Sequence, residues 1–273
     1  MGQIFPMTSL VSREMRNNRC TAMRNRLPIS ICGLAAALAF SVAALVRAGD
    51  KPSPPSLAQA GKAADGHDLT GIWNALRGPY DVASFSKGDP PMTPWGEEQF
   101  KKAKPSQGPR GVALDQTTDR VYQCFPPGMP YIYLQLFPMQ IVQTPTEVIE
   151  LFEYDHTVRH IFIDGRTHPR DVTPTYNGDS IGHWEGNTLV VDTIGLNGKL
   201  WLDRVGHPDS DQMHIVERIQ RIDEKTLQVD FTFDDPKSYT KPWTAQMRFR
   251  LHPDWSIIED VCEDNRAFDN FEK

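Results

Sequence analysis

The sequence has little that would mark it as a membrane protein or as an enzyme of a familiar type. No long helical pattern interrupts its short apolar runs, and its 273 residues are 39% hydrophobic and 23% charged. A chain of this length and composition can form one medium-sized domain with a hydrophobic core. Its apolar content is too low for a polytopic membrane protein. No stretch carries an obvious catalytic signature, so the sequence indicates compartment and fold better than activity.

Acidic residues outnumber basic ones after the amino-terminal segment. Residues 1–48 hold six arginines and one glutamate, so their removal changes the formal net charge from −6 to −11. A surface of that sign repels nucleic acid and anionic lipid, and the chain has no basic patch or polybasic tail to bind either. We therefore predict no nucleic-acid partner.

The first 48 residues predict a secretory signal peptide. Arg24 and Arg26 precede an uncharged run over residues 27–46, and Ala48 ends a suitable cleavage site. The run also approaches the length of a membrane span, so a retained anchor is the alternative. Cleavage predicts a periplasmic or secreted protein without a membrane span. In that protein residues 49–67 form a flexible linker and residues 68–273 form one barrel domain.

Cysteine is also rare. Of the four cysteines, Cys20 and Cys32 would leave with the signal peptide, and Cys124 and Cys262 would remain. In an exported chain, two cysteines so far apart predict one disulfide that closes a long loop. Two buried free thiols are the alternative.

What the sequence does contain is a succession of short strand-like runs with turn signals between them, typical of an antiparallel meander. The runs are 71–73, 139–143, 147–154, 159–164, 180–185, 188–193, 213–222, 226–234, 244–251 and 256–262. We predict an all-β fold: an antiparallel meander barrel of about 8–10 strands, lipocalin-like, with a short helix and long Pro-rich loops in its N-terminal third. Thr93 is the expected N-cap of that helix, with Pro94 as its first residue.

The clearest hairpin covers residues 179–192. Gly186 and Asn187 stand between two strand-like runs, and both residue types tolerate the positive φ that a two-residue turn requires. The turn therefore predicts how residues 180–185 pair with residues 188–193.

Alternation of side chains along each strand predicts which residues face the core. In the run 213–222, Ile215, Glu217 and Ile219 share the inward side. The same rule places Glu153 and Glu259 inward, although the opposite face of residues 256–262 is nearly as apolar. Inward carboxylates are costly unless they are paired, so they predict either a polar ligand site or a buried network with Arg or Trp partners.

Several motifs together resemble an uncharacterised family of exported bacterial proteins. They are DLTGIW at 68–73, PMTPWG at 91–96, CFPPGMP at 124–130, DGRTHP at 164–169, GDSIGHWEGNTLVVDT at 178–193, LWLDRVGHPDSDQMHIVER at 200–218 and EDVCEDN at 259–265. The longest of these follows the pattern GDSxGxWEGxTLVVDT. The resemblance implies no particular reaction, and the likeness to lipocalins is one of strand pattern alone.

The first functional hypothesis is an exported small-molecule-binding barrel that holds an apolar or aromatic ligand in a partly polar cavity. Its candidate ligand-binding residues are Glu153, Arg166, His168, Asp203, Arg204, Tyr131 and Tyr133. The second is an enzyme on the same barrel that carries out acid/base chemistry as an isomerase, lyase or hydratase. Its candidate catalytic residues are Glu217, His214, Glu259 and Asp164.

A third hypothesis is a packed barrel that acts as an envelope interaction protein. A cavity with paired ionisable groups would favour the enzyme, a dry apolar cavity the binding protein, and a filled barrel the third reading. We expect a cavity because of the inward carboxylates. The histidines that precede prolines, at positions 168, 207 and 252, are typical of loop residues whose rings are solvated or cap a turn. No spacing specifies a metal site, and we predict no cofactor.

Overall fold

The computed structural model describes residues 66–76 and 83–264. These residues form a closed β-barrel of nine strands, together with a short α-helix and three 3₁₀ helices. The predicted all-β barrel is thus confirmed. The predicted signal peptide and nearly all of the predicted linker lie outside the described residues.

The strands follow one another along the chain. They are β1 (Gly71–Ala75), β2 (Met139–Gln143), β3 (Glu147–Phe152), β4 (Val158–Phe162), β5 (Asp179–Glu185), β6 (Thr188–Ile194), β7 (His214–Asp223), β8 (Thr226–Asp234) and β9 (Trp243–Leu251). Helix α1 spans Pro94–Lys102, and the 3₁₀ helices span Arg120–Gln123, Tyr131–Leu134 and Tyr154–His156.

The barrel closes because β1 is paired on both edges. It runs antiparallel to β2 and to β9, so that Trp73 lies opposite Met139 on one side and Leu251 on the other. The pairing of β4 with β5 is parallel, with Ile161 opposite Ser180, and it departs from the meander. A parallel pair needs a crossover connection, which the long loop after β4 supplies. Closure removes the exposed strand edges.

The predicted hairpin is confirmed as β5 and β6. Glu185 pairs with Thr188, which leaves a two-residue turn. The positive φ falls on Gly186, at +57°, where the missing Cβ avoids the usual steric cost. The turn sets the register of the hairpin.

Helix α1 begins where its sequence predicts. Thr93 Oγ1 accepts a hydrogen bond from the Gly96 amide at 3.0 Å, and Pro94 occupies the first turn, where a missing N–H costs nothing. The Thr93 hydroxyl also donates to the Lys237 carbonyl at 2.6 Å. This second contact ties the start of the helix to the loop between β8 and β9.

The predicted orientation of side chains is confirmed on β7 and wrong on β3. Glu217 on β7 is buried inside the barrel, as alternation predicts. On β3, however, Glu150 points inward, whereas Glu153 lies beyond the end of the strand. Ile149 and Leu151 are half-buried on the other face of β3. Because both faces carry apolar residues, hydrophobicity alone did not distinguish inside from outside.

The predicted strand at residues 256–262 is wrong. The pairing of β1 with β9 already completes the barrel, so this segment has no sheet edge to join. It is held instead at its end, where Cys262 lies at disulfide-bonding distance from Cys124 with the Cα atoms 5.5 Å apart. The structure thus confirms that the two cysteines lie close enough to form the predicted disulfide.

The barrel interior is occupied by the chain itself. Residues 127–135, which we call the plug segment, are buried throughout. The ring of Tyr133 lies 5.6 Å from that of Phe152, 5.7 Å from Phe231 and 5.6 Å from Phe249, measured between centroids. The plug segment therefore carries an aromatic residue into the centre of the barrel.

Candidate functional site

A network of charged and polar side chains lies in the barrel interior. Arg159 Nη1 donates to Glu150 Oε2 and to Glu217 Oε1, both at 3.1 Å. Arg159 Nη2 donates to Glu217 Oε2, and to Thr193 Oγ1 at 2.9 Å. The hydroxyl of Tyr133 donates to Glu150 Oε1 at 2.7 Å and accepts from Arg159 Nη1 at 3.0 Å. Four strands, β3, β4, β6 and β7, and the plug segment are thus joined through one guanidinium.

Burial and neighbouring charges together shift the pKa values of Glu150, Tyr133 and Arg159. Burial raises the pKa of Glu150 above the usual value, Arg159 lowers that pKa, and the nearby Glu217 raises it again. Burial and the same two carboxylates hold the pKa of Tyr133 well above its usual value. For Arg159 burial alone would lower the pKa, but Glu217 and the other acidic groups raise it well above normal. Arg159 therefore stays charged, and Tyr133 stays a hydrogen-bond donor.

The network is closed to solvent. Glu150, Arg159 and Glu217 are 1%, 2% and 0% exposed, respectively. Charges this deeply buried need partners and hydrogen bonds, and here they have both. The space in which we expected a cavity is occupied by these side chains, and a molecule from solvent meets neither Glu217 nor Tyr133 in this conformation.

Residues 178–182 read Gly-x-Ser-x-Gly, a pattern that in α/β-hydrolases marks a nucleophile on a strand-to-helix turn. Ser180 instead lies within strand β5 and is buried. Its Oγ accepts from Arg159 Nε at 3.2 Å and lies 2.9 Å from Thr193 Oγ1. This serine belongs to the interior network and is not placed as a nucleophile.

An open pocket of about 290 Å³ lies beside the plug segment, and we call it the outer pocket. Its walls are mostly apolar and aromatic. The lining residues are Leu114, Val121, Tyr122, Tyr131, Gln135, Leu136, Phe137, Tyr154, Arg204 and Cys262. Three of them are large apolar side chains that are exposed to solvent: Leu114 is 60% exposed, Leu136 43% and Phe137 36%. Such exposure at a concave surface is typical of a binding site.

Arg204 supplies the positive charge of the outer pocket. Its guanidinium donates to the Tyr122 hydroxyl at 3.2 Å and to the Leu134 carbonyl at 3.4 Å. Burial alone would lower the pKa of Arg204, but its contact with Tyr122 raises it above normal. Tyr131 donates its phenol to Asp119 Oδ2 at 2.6 Å. Two predicted ligand-binding residues, Tyr131 and Arg204, are thus brought together at one pocket.

Asp203, another predicted ligand-binding residue, has a positioning role. Its Oδ1 accepts from the backbone amides of Val205 at 3.2 Å and His207 at 3.1 Å. Its Oδ2 accepts from Ser84 Oγ at 2.7 Å and lies 2.6 Å from His207 Nδ1. The carboxylate therefore fixes the hairpin of residues 201–208, on which Arg204 is carried.

Of the two alternatives predicted for the His207 ring, solvated or capping a turn, the solvated one is wrong. His207 is buried, and its ring stacks on Phe100 with the centroids 4.8 Å apart. The four-residue spacing of Asp203 and His207 could have indicated the pair, but the burial of the ring depends on Phe100 in helix α1, which is distant in sequence.

Two predicted histidines, His168 and His214, are linked on the outside of the barrel. His214 Nε2 lies 2.6 Å from Asp192 Oδ1, and His168 Nε2 lies 3.6 Å from the same oxygen. His168 Nδ1 is 2.5 Å from Asp179 Oδ1. This row of side chains faces away from the interior network. In the part of the chain that the structure describes, no group of three or more His, Cys, Asp or Glu side chains is arranged to hold a metal ion.

The remaining candidates lie apart from one another. Arg166 and Asp164 form an exposed ion pair within one turn, with Nη2 and Oδ2 2.6 Å apart. Glu153 accepts from the Ile258 amide at 3.1 Å and so holds the C-terminal segment against the barrel. Glu259 is exposed, and its predicted inward position is wrong because its segment forms no strand.

Two charged residues of the interior network, Glu150 and Arg159, were not among the residues predicted from the sequence. Arg159 shares its side of β4 with Ile161, which is fully buried, so alternation on that strand could have placed the guanidinium inside. Glu150 was missed because the orientation of β3 was assigned one residue out of step. No hydrophobicity signal on β3 corrects that error.

A comparison of the sequence with models of protein families finds no match, and neither does a comparison with curated proteins. Within residues 66–76 and 83–264, no helix is long and apolar enough to cross a membrane. The described residues therefore define a structural class but no family. The class is a closed β-barrel with a filled interior and a pocket at its surface.

Proposed function

We propose that this protein is an exported small-molecule-binding β-barrel whose ligand, a small apolar or aromatic molecule, occupies the outer pocket and not the barrel interior. The observation that carries the proposal is the exposed apolar rim of Leu114, Leu136 and Phe137 around a pocket that also holds Arg204. Ligand sites are mostly apolar clefts with a few placed polar groups. The outer pocket has this composition.

The polar groups indicate a ligand with one acidic group. Arg204 presents a planar guanidinium, which matches a carboxylate in two parallel hydrogen bonds. Tyr122 and Phe137 line the same pocket and are not buried, so their rings can contact an aromatic or aliphatic body. An aromatic or medium-chain carboxylate would use both parts of the pocket.

The walls of the outer pocket are held in place before a ligand arrives. Asp119 caps the 3₁₀ helix that carries Tyr122 by accepting from the Val121 amide at 3.0 Å. The pairing of Cys124 with Cys262 joins the end of that helix to the C-terminal segment. A preformed site loses less conformational entropy on binding than a flexible one.

The filled interior supports the packed-barrel alternative, in which the protein acts through its surface alone. The outer pocket favours ligand binding over that reading. The acid/base enzyme has less support, since its candidates face different ways. Glu217 lies in the interior network, His214 lies on the outside, and Asp164 and Glu259 are exposed on separate segments.

Titration calorimetry of the purified protein with benzoate, octanoate and the neutral benzyl alcohol tests the proposal. Arg204→Met keeps much of the side-chain volume and removes the charge, and we expect it to weaken carboxylate binding about tenfold or more, as for loss of a charged hydrogen bond of about 1.5–3 kcal/mol. Binding of benzyl alcohol should change little. Phe137→Ala should weaken all three.

Arg166→Met is the matched control, because Arg166 is exposed and paired with Asp164 away from the pocket. It should leave the affinities unchanged. The outer pocket is refuted as the ligand site if none of the three probes binds. It is also refuted if the Arg204→Met and Phe137→Ala variants bind the probes as tightly as the unaltered protein does.

A further inference from the structure

A second pocket, of about 300 Å³, lies between helix α1 and the two ends of the hairpin of residues 201–208, with the residues that flank it. We call it the helix pocket. Two indoles line it, Trp95 from α1 and Trp201 from the hairpin, together with Pro208. Gln99 and Asp209 add hydrogen-bonding groups to the same lining. None of these side chains takes part in the outer pocket.

The walls of the helix pocket are rigid. Trp201 and Pro208 pair as an isolated antiparallel bridge, and the Leu202 amide donates to the His207 carbonyl at 2.9 Å. The start of α1 is fixed by the bond from the Thr93 hydroxyl to the β8–β9 loop. The two indoles are therefore carried by elements that do not need to be ordered by a ligand.

Asp209 is the unusual group of this pocket. It is only 8% exposed, and its buried Oδ1 has no hydrogen-bond partner among the described residues. An unpaired buried oxygen of this kind costs free energy, which a hydrogen bond from a ligand would recover. Burial, with the nearby Asp235, also holds the pKa of Asp209 well above normal, so the protonated form, which both donates and accepts, is favoured.

The chemistry of the lining selects among ligand classes. Lys102 and Lys199 also line the pocket, and their positive charges disfavour a cation. A simple anion would use the lysines but neither indole nor Asp209. A sugar ring would use all of them, because its C–H face packs on the electron-rich face of an indole while its hydroxyls both donate and accept hydrogen bonds.

We propose that the helix pocket is a carbohydrate-binding site, in which Trp95 and Trp201 pack against a sugar ring and Gln99 and Asp209 hydrogen-bond its hydroxyls. The volume fits a ligand of about one sugar ring, at the lower end of the range for small-molecule sites. This site is separate from the outer pocket and does not depend on the function proposed for it. The hairpin of residues 201–208 lies between them and contributes to both.

The test is saturation-transfer NMR of the full protein with glucose, galactose, mannose, N-acetylglucosamine and rhamnose. At least one sugar should receive saturation on its ring C–H protons, and Trp201→Ala should weaken its binding at least tenfold. Trp255→Ala is the matched control, because Trp255 is an exposed tryptophan outside the pocket. It should leave the signal unchanged.

Gln99→Ala provides a second variant that does not alter the hairpin, and it too should weaken the sugar signal while the circular dichroism spectrum stays the same. The proposal is overturned if no sugar of the panel receives saturation. It is also overturned if Trp255→Ala reduces the signal as much as Trp201→Ala does, or if Phe137→Ala in the outer pocket abolishes it. Binding of inorganic phosphate in place of any sugar would assign the pocket to an anion instead.

Discussion

The interior network makes Arg159→Met a sharp test of how the barrel is held together. The substitution keeps much of the apolar stem of the side chain and removes the guanidinium, which donates to Glu150, Glu217, Ser180 and Thr193. Two buried carboxyl groups then lose their cation. The fold must either keep an uncompensated buried charge or take up protons.

The expected cost follows from that burial. Removing one partner of a buried ion pair typically costs about 3–5 kcal/mol, because the remaining charge has neither water nor a partner. With a denaturant dependence of about 2 kcal/mol per molar urea, a loss of about 4 kcal/mol moves the unfolding midpoint by about 2 M. This is a large part of the total stability of about 5–15 kcal/mol that a domain usually has.

The cost should also depend on pH in a defined direction. Burial already raises the pKa of Glu150, and without Arg159 the influence that lowers it is gone. A group whose pKa is raised by folding favours the folded state at low pH, and this contribution is lost as the pH rises through the folded-state pKa. Urea unfolding followed by circular dichroism should therefore show a larger deficit for Arg159→Met at about pH 8 than at about pH 5.

Arg248→Met is the matched control. Arg248 is exposed on β9 and donates to Gln228 Oε1 at 3.1 Å, so its loss should cost about 0.5 kcal/mol or less. If Arg159→Met shifts the midpoint no more than Arg248→Met does, the network does not hold the strands together and the reasoning fails. A deficit that grows toward acid pH would contradict the assigned direction of the Glu150 pKa.

Two further predictions concern the same barrel. Replacing Cys124 and Cys262 by Ser should lower the free energy of unfolding by about 2–5 kcal/mol, because the cross-link closes a loop of 138 residues that the unfolded chain would otherwise be free to open. Thermal unfolding with and without reductant measures this difference. Glu150→Gln removes a carboxyl group whose pKa folding raises, so the stability of this variant relative to the unaltered protein should increase as the pH rises above the usual pKa of a glutamate. Urea unfolding across a pH series measures that trend.

Each of these predictions has its own check. Reductant should not affect the doubly substituted cysteine variant, and an intact mass that reductant leaves unchanged in the unaltered protein would show that the two thiols are free. Glu98→Gln on helix α1 should show no rising trend with pH, because the contact with Lys102 lowers the pKa of Glu98. A relative stability of Glu150→Gln that falls as the pH rises would contradict the assigned direction.

Much of the barrel could be predicted because its signals are local. The bounds of β2 and β8 agree with the predicted runs, since alternation and turn residues mark where a strand begins and ends. The turn at Gly186 and the capped start of α1 at Thr93 depend on a few neighbouring residues, and both were predicted for that reason. The pairing of Cys124 with Cys262 was predictable because only two cysteines follow the predicted signal peptide, and the expectation of export favours a disulfide between them.

Other features depended on residues far apart in the chain. Closure needs β1 to pair with β9, and that pairing removes the edge that the predicted strand at residues 256–262 would have required. The crossover between β4 and β5 is a property of the closed sheet, because parallel neighbours cannot be joined by a short turn. In the sequence these strands appear only as separate runs, and nothing local indicates which of them will pair.

The sequence by itself determined most of the strands, their turns and the acidic composition of the chain. Only the tertiary structure decided where the chemistry lies. Glu150, Arg159 and Glu217 come from three strands, and a buried charge is explained only by the partners that surround it. The carboxylate expected to line a cavity instead helps to fill the barrel, so the pockets that remain for ligands lie outside, where the plug segment, helix α1 and the hairpin of residues 201–208 meet water.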